Sequence, residues 1–154
     1  MHPAEHAIND GRALITQARR IAILTGAGVS KESGIPTFRD AGGLWRTYSP
    51  QELANPDAFA RDPALVWAWY DMRRQKMAPC DPNPAHLAIA RCQLFNASQG
   101  KEGKAIHVIT QNVDGLHALA LNRVQGFPDD APLDPALAPL ELHGNIYRIR
   151  CMGC

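Results

Sequence analysis

No part of this sequence is apolar for long enough to cross a bilayer: the longest such stretch, around Leu65 to Tyr70, falls far short of the roughly 20 residues a spanning helix needs. Neither sign of charge dominates. Sixteen Lys and Arg against fifteen Asp and Glu give a net charge of +1, which supplies no electrostatic footprint for nucleic acid or an anionic membrane surface. There is no internal repeat and no low-complexity tract. The first ten residues carry Glu5 and Asp10 and lack an apolar core, so a secretory signal is not expected and the cytoplasm is the expected compartment. Cysteine is sparse; four residues in such a chain suggest metal ligands or buried thiols rather than a disulfide framework. What is present is ordinary globular material. In 154 residues, 45% hydrophobic and 20% charged, there is room for one packed core and little prospect of disorder.

The order of elements points to an α/β fold. Ala13 to Arg20 reads as the end of an amphipathic helix with Leu14, Ile15 and Ala18 on one side. Ile21 to Thr25 is a short β-branched run stopped by Gly26, as expected of a buried parallel strand ending in a tight turn. Asp62-Pro63 and Asn83-Pro84 each combine a capping side chain with proline at the first helical position. They predict helices from Pro63 to near Pro79 and through His86 to Phe95. Ala105 to Thr110 reads as a second core strand, ending in the polar Gln111-Asn-Val-Asp114. Gly126 to Pro139, with four prolines and three aspartates, is an expected loop; Leu140 to His143 and Ile146 to Arg150 are expected short strands. Strands alternating with helices imply a Rossmann-like parallel sheet with helices on both faces, as one domain over residues 1–154.

Gly26-Ala-Gly28 after the first strand lets a backbone approach a phosphate, although a tight turn explains it equally well. Lys31 stands where the dinucleotide fingerprint wants its third glycine, which disfavours a hydride-transfer dehydrogenase. Taken alone, Asn112-x-Asp114 reads as a polar turn and His143 as a hydrogen-bonded core histidine.

Four further segments change that balance. Gly26-Ala-Gly-Val-Ser30 with Ser33-Gly-Ile-Pro36, Phe38-Arg39 and Gly43-Leu-Trp45 is followed by Thr110-Gln-Asn-Val-Asp114 with Gly115-Leu-His117, then Leu142-His-Gly144, then Cys151-x-x-Cys154. In this order, from about Arg20 onward, they resemble the sirtuin family of NAD-dependent protein-lysine deacylases. The resemblance implies NAD as co-substrate, held by Gly26, Ala27, Gly28, Ser30, Phe38, Arg39, Trp45, Gln111, Asn112 and Asp114. It implies His143, Asn112 and Asp114 as the catalytic group, with His117 in support. Imidazole titrates near neutrality and can take a proton from a ribose hydroxyl. The acyl oxygen attacks C1′ as nicotinamide leaves, and the acyl group ends on ADP-ribose. Acylated lysines of proteins or peptides are then the partners of a monomeric enzyme.

Tyr70 and Arg73, three apart on one helix, share a face. They resemble the Tyr-x-x-Arg signature of sirtuins that accept succinyl, malonyl or glutaryl lysine, and Thr37 agrees with that subgroup. By themselves the two are equally a semi-buried ring and a solvated charge. Cys151 and Cys154 resemble half of a structural Zn2+ site at the start of a zinc module over 146–154; the second cysteine pair is missing, and tetrahedral zinc takes four ligands. Cys80 and Cys92 read as ordinary thiols. Between His117 and His143 the chain departs from the family, with Ala118 to Leu121 replacing Ala-Gly and Gly126 to Pro139 resembling an insertion. The abrupt ending suggests a truncated chain, and it leaves a second expectation open: a non-catalytic fragment that acts at most as a nucleotide-binding or interaction module.

Overall fold

The computed structural model describes residues 3–35 and 50–151. Three parallel strands form one sheet in the order β1 (Arg20–Thr25), β2 (Ala105–Thr110), β3 (Leu140–Glu141). Register runs from Arg20 beside Ala105 to Thr25 beside Thr110, and β3 joins through Ile109 beside Leu140. Ile106 and Val108 are buried on one face, while Leu24, His107 and Leu140 are exposed on the other. The expected parallel sheet with helices is therefore present. Among the described residues, no helix is long and apolar enough to cross a membrane.

Among the described residues six α-helices accompany the sheet: α1 (Pro3–Gln17), α2 (Pro50–Leu53), α3 (Pro56–Arg61), α4 (Pro63–Met77), α5 (Pro84–Ser98) and α6 (Leu116–Gln125). A 3-10 helix, Ala27–Ser33, follows β1 directly. The predicted caps hold. Asp62 accepts from the Leu65 amide and Asn83 from those of Ala85 and His86, and Asn55-Pro56 starts α3 in the same way. Asn83 does more than cap, since its Nδ2 donates to the Val29 carbonyl at 2.7 Å and ties α5 to the turn after β1. α5 packs on β2 and α6 on α5, around Ala90, Ala120 and Leu121.

Several expectations need correction. Leu14 and Ile15 lie on α1 but are exposed. Ile146 to Arg150 is not a strand: Gly144 has φ +72°, and Asn145 accepts the Tyr147 amide on its side chain and the Arg148 amide on its carbonyl. Those bonds curl the chain out of the extended region. For the same reason β3 stops at Glu141 and not at His143. α6 begins after Gly115 at φ +75°, which has no side chain to cap it; the first amide, that of Leu116, is taken instead by Asp114, one residue before the usual capping position. Gly126 to Pro139 is irregular, as expected, yet it is strapped down. Leu133 and Leu137 pack against the α5–α6 core, and Asn122 Nδ2 donates to the carbonyls of Asp129 and Ala131.

The two caps should differ in worth. Asp62→Ala removes an exposed cap and should cost about 1 kcal/mol, whereas Asn83→Ala also strands the Val29 carbonyl and should cost about 2–3 kcal/mol. Urea midpoints of the two variants measure the difference.

Candidate active site

The C-terminal ends of β1 and β2 open onto a cleft of about 1100 Å³. Its wall brings together Ala27, Gly28 and Ser30 from the turn after β1, Gln111, Asn112 and Asp114 from the turn after β2, and His143 from the turn after β3. Tyr70 and Arg73 reach the same cleft from α4. Gly26 lies one residue outside this lining. Phe38, Arg39, Trp45, Thr37 and Cys154 lie outside the described residues.

Ser30 is the meeting point. Its hydroxyl donates to Asp114 Oδ2 at 2.7 Å and accepts from Asn112 Nδ2 at 2.9 Å. A third group arrives from α5, with His86 Nε2 at 3.4 Å. The Asn83 amide donates to His86 Nδ1 at 3.3 Å, so the neutral ring carries its proton on Nε2 and donates to Ser30. The other carboxylate oxygen, Asp114 Oδ1, accepts the Leu116 amide at 3.0 Å, and the Asn112 amide donates to Thr110 Oγ1 at 3.1 Å. The side chains of Asn112 and Asp114 are thereby fixed before any ligand arrives.

His117 lies behind this cluster, 2.9 Å from Thr25 Oγ1 and with its ring centroid 4.8 Å from that of His86. Burial first, and His86 second, lower its pKa to about 4, against an opposing pull from Asp114. Burial also lowers that of His86. Both rings are therefore neutral, structural partners. His143 differs: it is exposed and lines the cleft, open to a ligand or to solvent.

On α4 the Arg73 guanidinium lies 4.6 Å over the buried Trp69 ring and 5.6 Å over Tyr70. Burial lowers its pKa, though an arginine this basic stays charged. Arg74, three residues from Asp71 and donating to the Ile146 carbonyl at 3.4 Å, also lines the cleft, as does Arg148. Among the described lining residues, three guanidinium groups face the single carboxylate of Asp114. This suits an anionic ligand.

Sequence reasoning missed His86, Arg74, Asn145 and Arg148. His86 occupies the third helical position after the Asn83 cap and reads as capping chemistry; nothing local signals its contact with Ser30. Cys151 is exposed and does not line the cleft, and among the described residues no three potential metal ligands cluster. Of the expected cysteine pair only Cys151 is among the described residues.

A model of the Sir2 family matches residues 26–154. The chain belongs to the Sir2 family. A Thermus thermophilus NAD-dependent protein deacylase is 46% identical over 147 residues, 96% of this chain and 51% of that protein. The Danio rerio mitochondrial NAD-dependent protein deacylase sirtuin-5 is 46% identical over 143 residues, 93% of this chain and 41% of that protein. A solved Sir2 homologue in complex with NAD superposes with a TM-score of 0.73 at 40% identity, over 95% of this chain and 49% of its own. Another Sir2 homologue, a mutant bound to 2′-O-acetyl ADP-ribose, gives 0.67 at 42% identity, covering 91% and 48%. This Sir2 chain spans about half the length of the relatives it matches.

The neutral histidines of the Sir2 chain set a pH dependence. Their folded pKa values lie below the ordinary 6.5, so the unfolded chain binds protons first. Stability is full above about pH 6.5 and falls as the pH drops toward 4. For His117 alone the loss between pH 7 and pH 5 should be about 2 kcal/mol. Urea unfolding at the two pH values measures it, and His117→Gln should flatten the difference.

Proposed function

We propose that this chain carries the NAD-binding and catalytic half of an NAD-dependent protein-lysine deacylase acting on acetyl and, more strongly, succinyl or malonyl lysine. One observation carries the reading: a single cleft gathers the Ala27-Gly28 backbone, the prearranged Asn112–Asp114 pair, His143 and the Tyr70–Arg73 pair. Open Gly28, against which an added Cβ would meet nothing within 4 Å, suits close approach of the NAD phosphates. Asn112 and Asp114 orient the nicotinamide ribose. His143 takes a proton from a ribose hydroxyl, which turns that oxygen on the acyl carbon after nicotinamide has left. Tyr70 and Arg73 receive the acyl end. A guanidinium offers two parallel donors to a carboxylate, a geometry that lysine cannot copy. Cys151 and Cys154 contribute two thiolates to a structural zinc site whose other two ligands are not in this sequence; no step of the reaction runs through that metal.

The second reading is NAD binding without turnover, which the ready-made Asn112–Asp114 pair supports by itself. Calorimetric titration of the 154-residue chain with NAD, alongside nicotinamide release with a succinyl-lysine peptide, separates the two. Binding with release supports the deacylase, binding alone supports the fragment, and neither removes both.

Where turnover is present, His143→Ala should reduce product formation at least 100-fold while NAD affinity stays within about threefold. Arg73→Met should spare deacetylation and lower desuccinylation by about 2–4 kcal/mol of transition-state stabilisation, roughly 30- to 1000-fold in kcat/KM. Equal losses on both acyl groups would remove Arg73 from substrate selection.

A further inference from the structure

Among the described residues nothing hydrogen-bonds the His143 imidazole, and the ring is exposed, so its aim depends on the backbone that carries it. That backbone turns on Gly144 at φ +72° and follows a strand of only two residues. A segment so short and so sharply bent needs something to hold it. The structure supplies Glu141. Its carbonyl accepts the Gly144 amide at 3.1 Å, closing the turn beneath His143. Its carboxylate, on a side chain only 11% exposed, accepts Asn145 Nδ2 at 2.8 Å through Oε1, while Oε2 lies 3.5 Å from Arg148 Nη1. Residues 141 to 145 thus form a loop closed twice on one residue, with His143 at its apex.

The clamp also fixes that apex against the rest of the cleft. The Leu142 amide donates to Thr110 and the Ile146 amide to Val113, each at 2.9 Å, on either side of the turn. Asn145 Nδ2 passes 3.2 Å from where a Cβ on Gly115 would stand, so the far arm of the clamp rests on the residue next to Asp114.

We propose that Glu141 is a positioning residue for His143, acting through Asn145 to set the distance between the base and the Asn112–Asp114 pair. This deepens the deacylase reading and rests on it for the role of His143. A charged acceptor with a neutral amide donor makes a stronger bond than two neutral groups, and a misplacement of about 1 Å at a reacting group costs on the order of 100-fold in rate.

The test compares Glu141→Ala, Glu141→Gln and Asn145→Ala in the 154-residue chain by 15N relaxation and, in parallel, by steady-state kinetics. In Glu141→Ala the order parameters of His143 and Gly144 should fall from about 0.85 to below about 0.6, while those of Val108 and Leu121 stay unchanged. Asn145→Ala should give the same local loss, and it decides the matter should Glu141→Ala fail to fold. Glu141→Gln keeps an oxygen for Asn145 and should restore the order. In kinetics, Glu141→Ala should lower kcat about 10- to 100-fold with KM for NAD within about twofold, and Glu141→Gln should recover to within about threefold. Unchanged order at Gly144 in both Glu141→Ala and Asn145→Ala, or a Gln variant as damaged as the Ala variant, would overturn the proposal. A wild-type chain with no turnover, yet with the expected relaxation pattern, would remove the deacylase reading for this chain and leave the clamp standing.

Discussion

A single buried hydroxyl organises this molecule. Ser30 is 1% exposed and uses its full hydrogen-bonding capacity, donating to Asp114 and accepting from Asn112 and His86. Those three partners come from the turn after β2 and from the first turn of α5, so one oxygen joins three segments that meet nowhere else in sequence. A buried polar cluster that is fully satisfied stiffens its surroundings, and the same cluster with one partner missing is costly. The bonding pattern also leaves little freedom in protonation: Ser30 has one proton to give, Asp114 takes it, and His86 must be neutral to accept the Asn83 amide on Nδ1 while donating from Nε2.

The rest of the site can be read as attachments to that node. His117 reaches it through the His86 ring, tilted against its own at 4.8 Å, while Thr25 holds His117 by a hydrogen bond. Asn83 reaches it twice, by capping the helix that carries His86 and by holding the Val29 carbonyl next to Ser30. On the opposite side of the cleft the logic changes from hydrogen bonds to packing. Arg73 lies across Trp69 and Tyr70, and aromatic faces hold a guanidinium in one orientation while leaving its charge intact. A rigid polar floor thus faces a cationic, aromatic wall.

Much of this was legible in the residues themselves. The two six-residue strands announced their ends with Gly26 and with Gln111, and proline after a capping side chain marked the start of α4 and α5 to the residue. The motifs gathered Ala27, Gly28, Asn112, Asp114 and His143 on paper, and the fold gathers them in one cleft. What stayed hidden shares one physical character. α6 begins after a left-handed glycine, and the carboxylate that takes its first amide, Asp114, stands one residue before the usual capping position, so the start signal is displaced. His86 looks like a capping residue because it is one; its second role depends on Ser30, 56 positions away. The curl at Ile146 to Arg150 is written in Asn145 and Gly144, but the β-branched and aromatic residues Ile146, Tyr147 and Ile149 imitate a strand.

The register of the sheet has a consequence for how the molecule is made. Arg20 pairs with Ala105, and among the described residues no strand lies between β1 and β2 in sequence. During synthesis at about 5–20 residues per second, β1 must therefore wait roughly 4 to 17 s for its neighbour to emerge. Throughout that interval Ile21, Ile23 and Leu24 lack the β2 ladder they will join, and parallel pairing across so long a sequence separation is intrinsically slow once it becomes possible. α4 and α5, whose starts are capped locally, can form while β1 waits. Birth order and assembly order are thus reversed for β1, which leaves the ribosome early but enters the sheet only after the segment that will neighbour it has been translated.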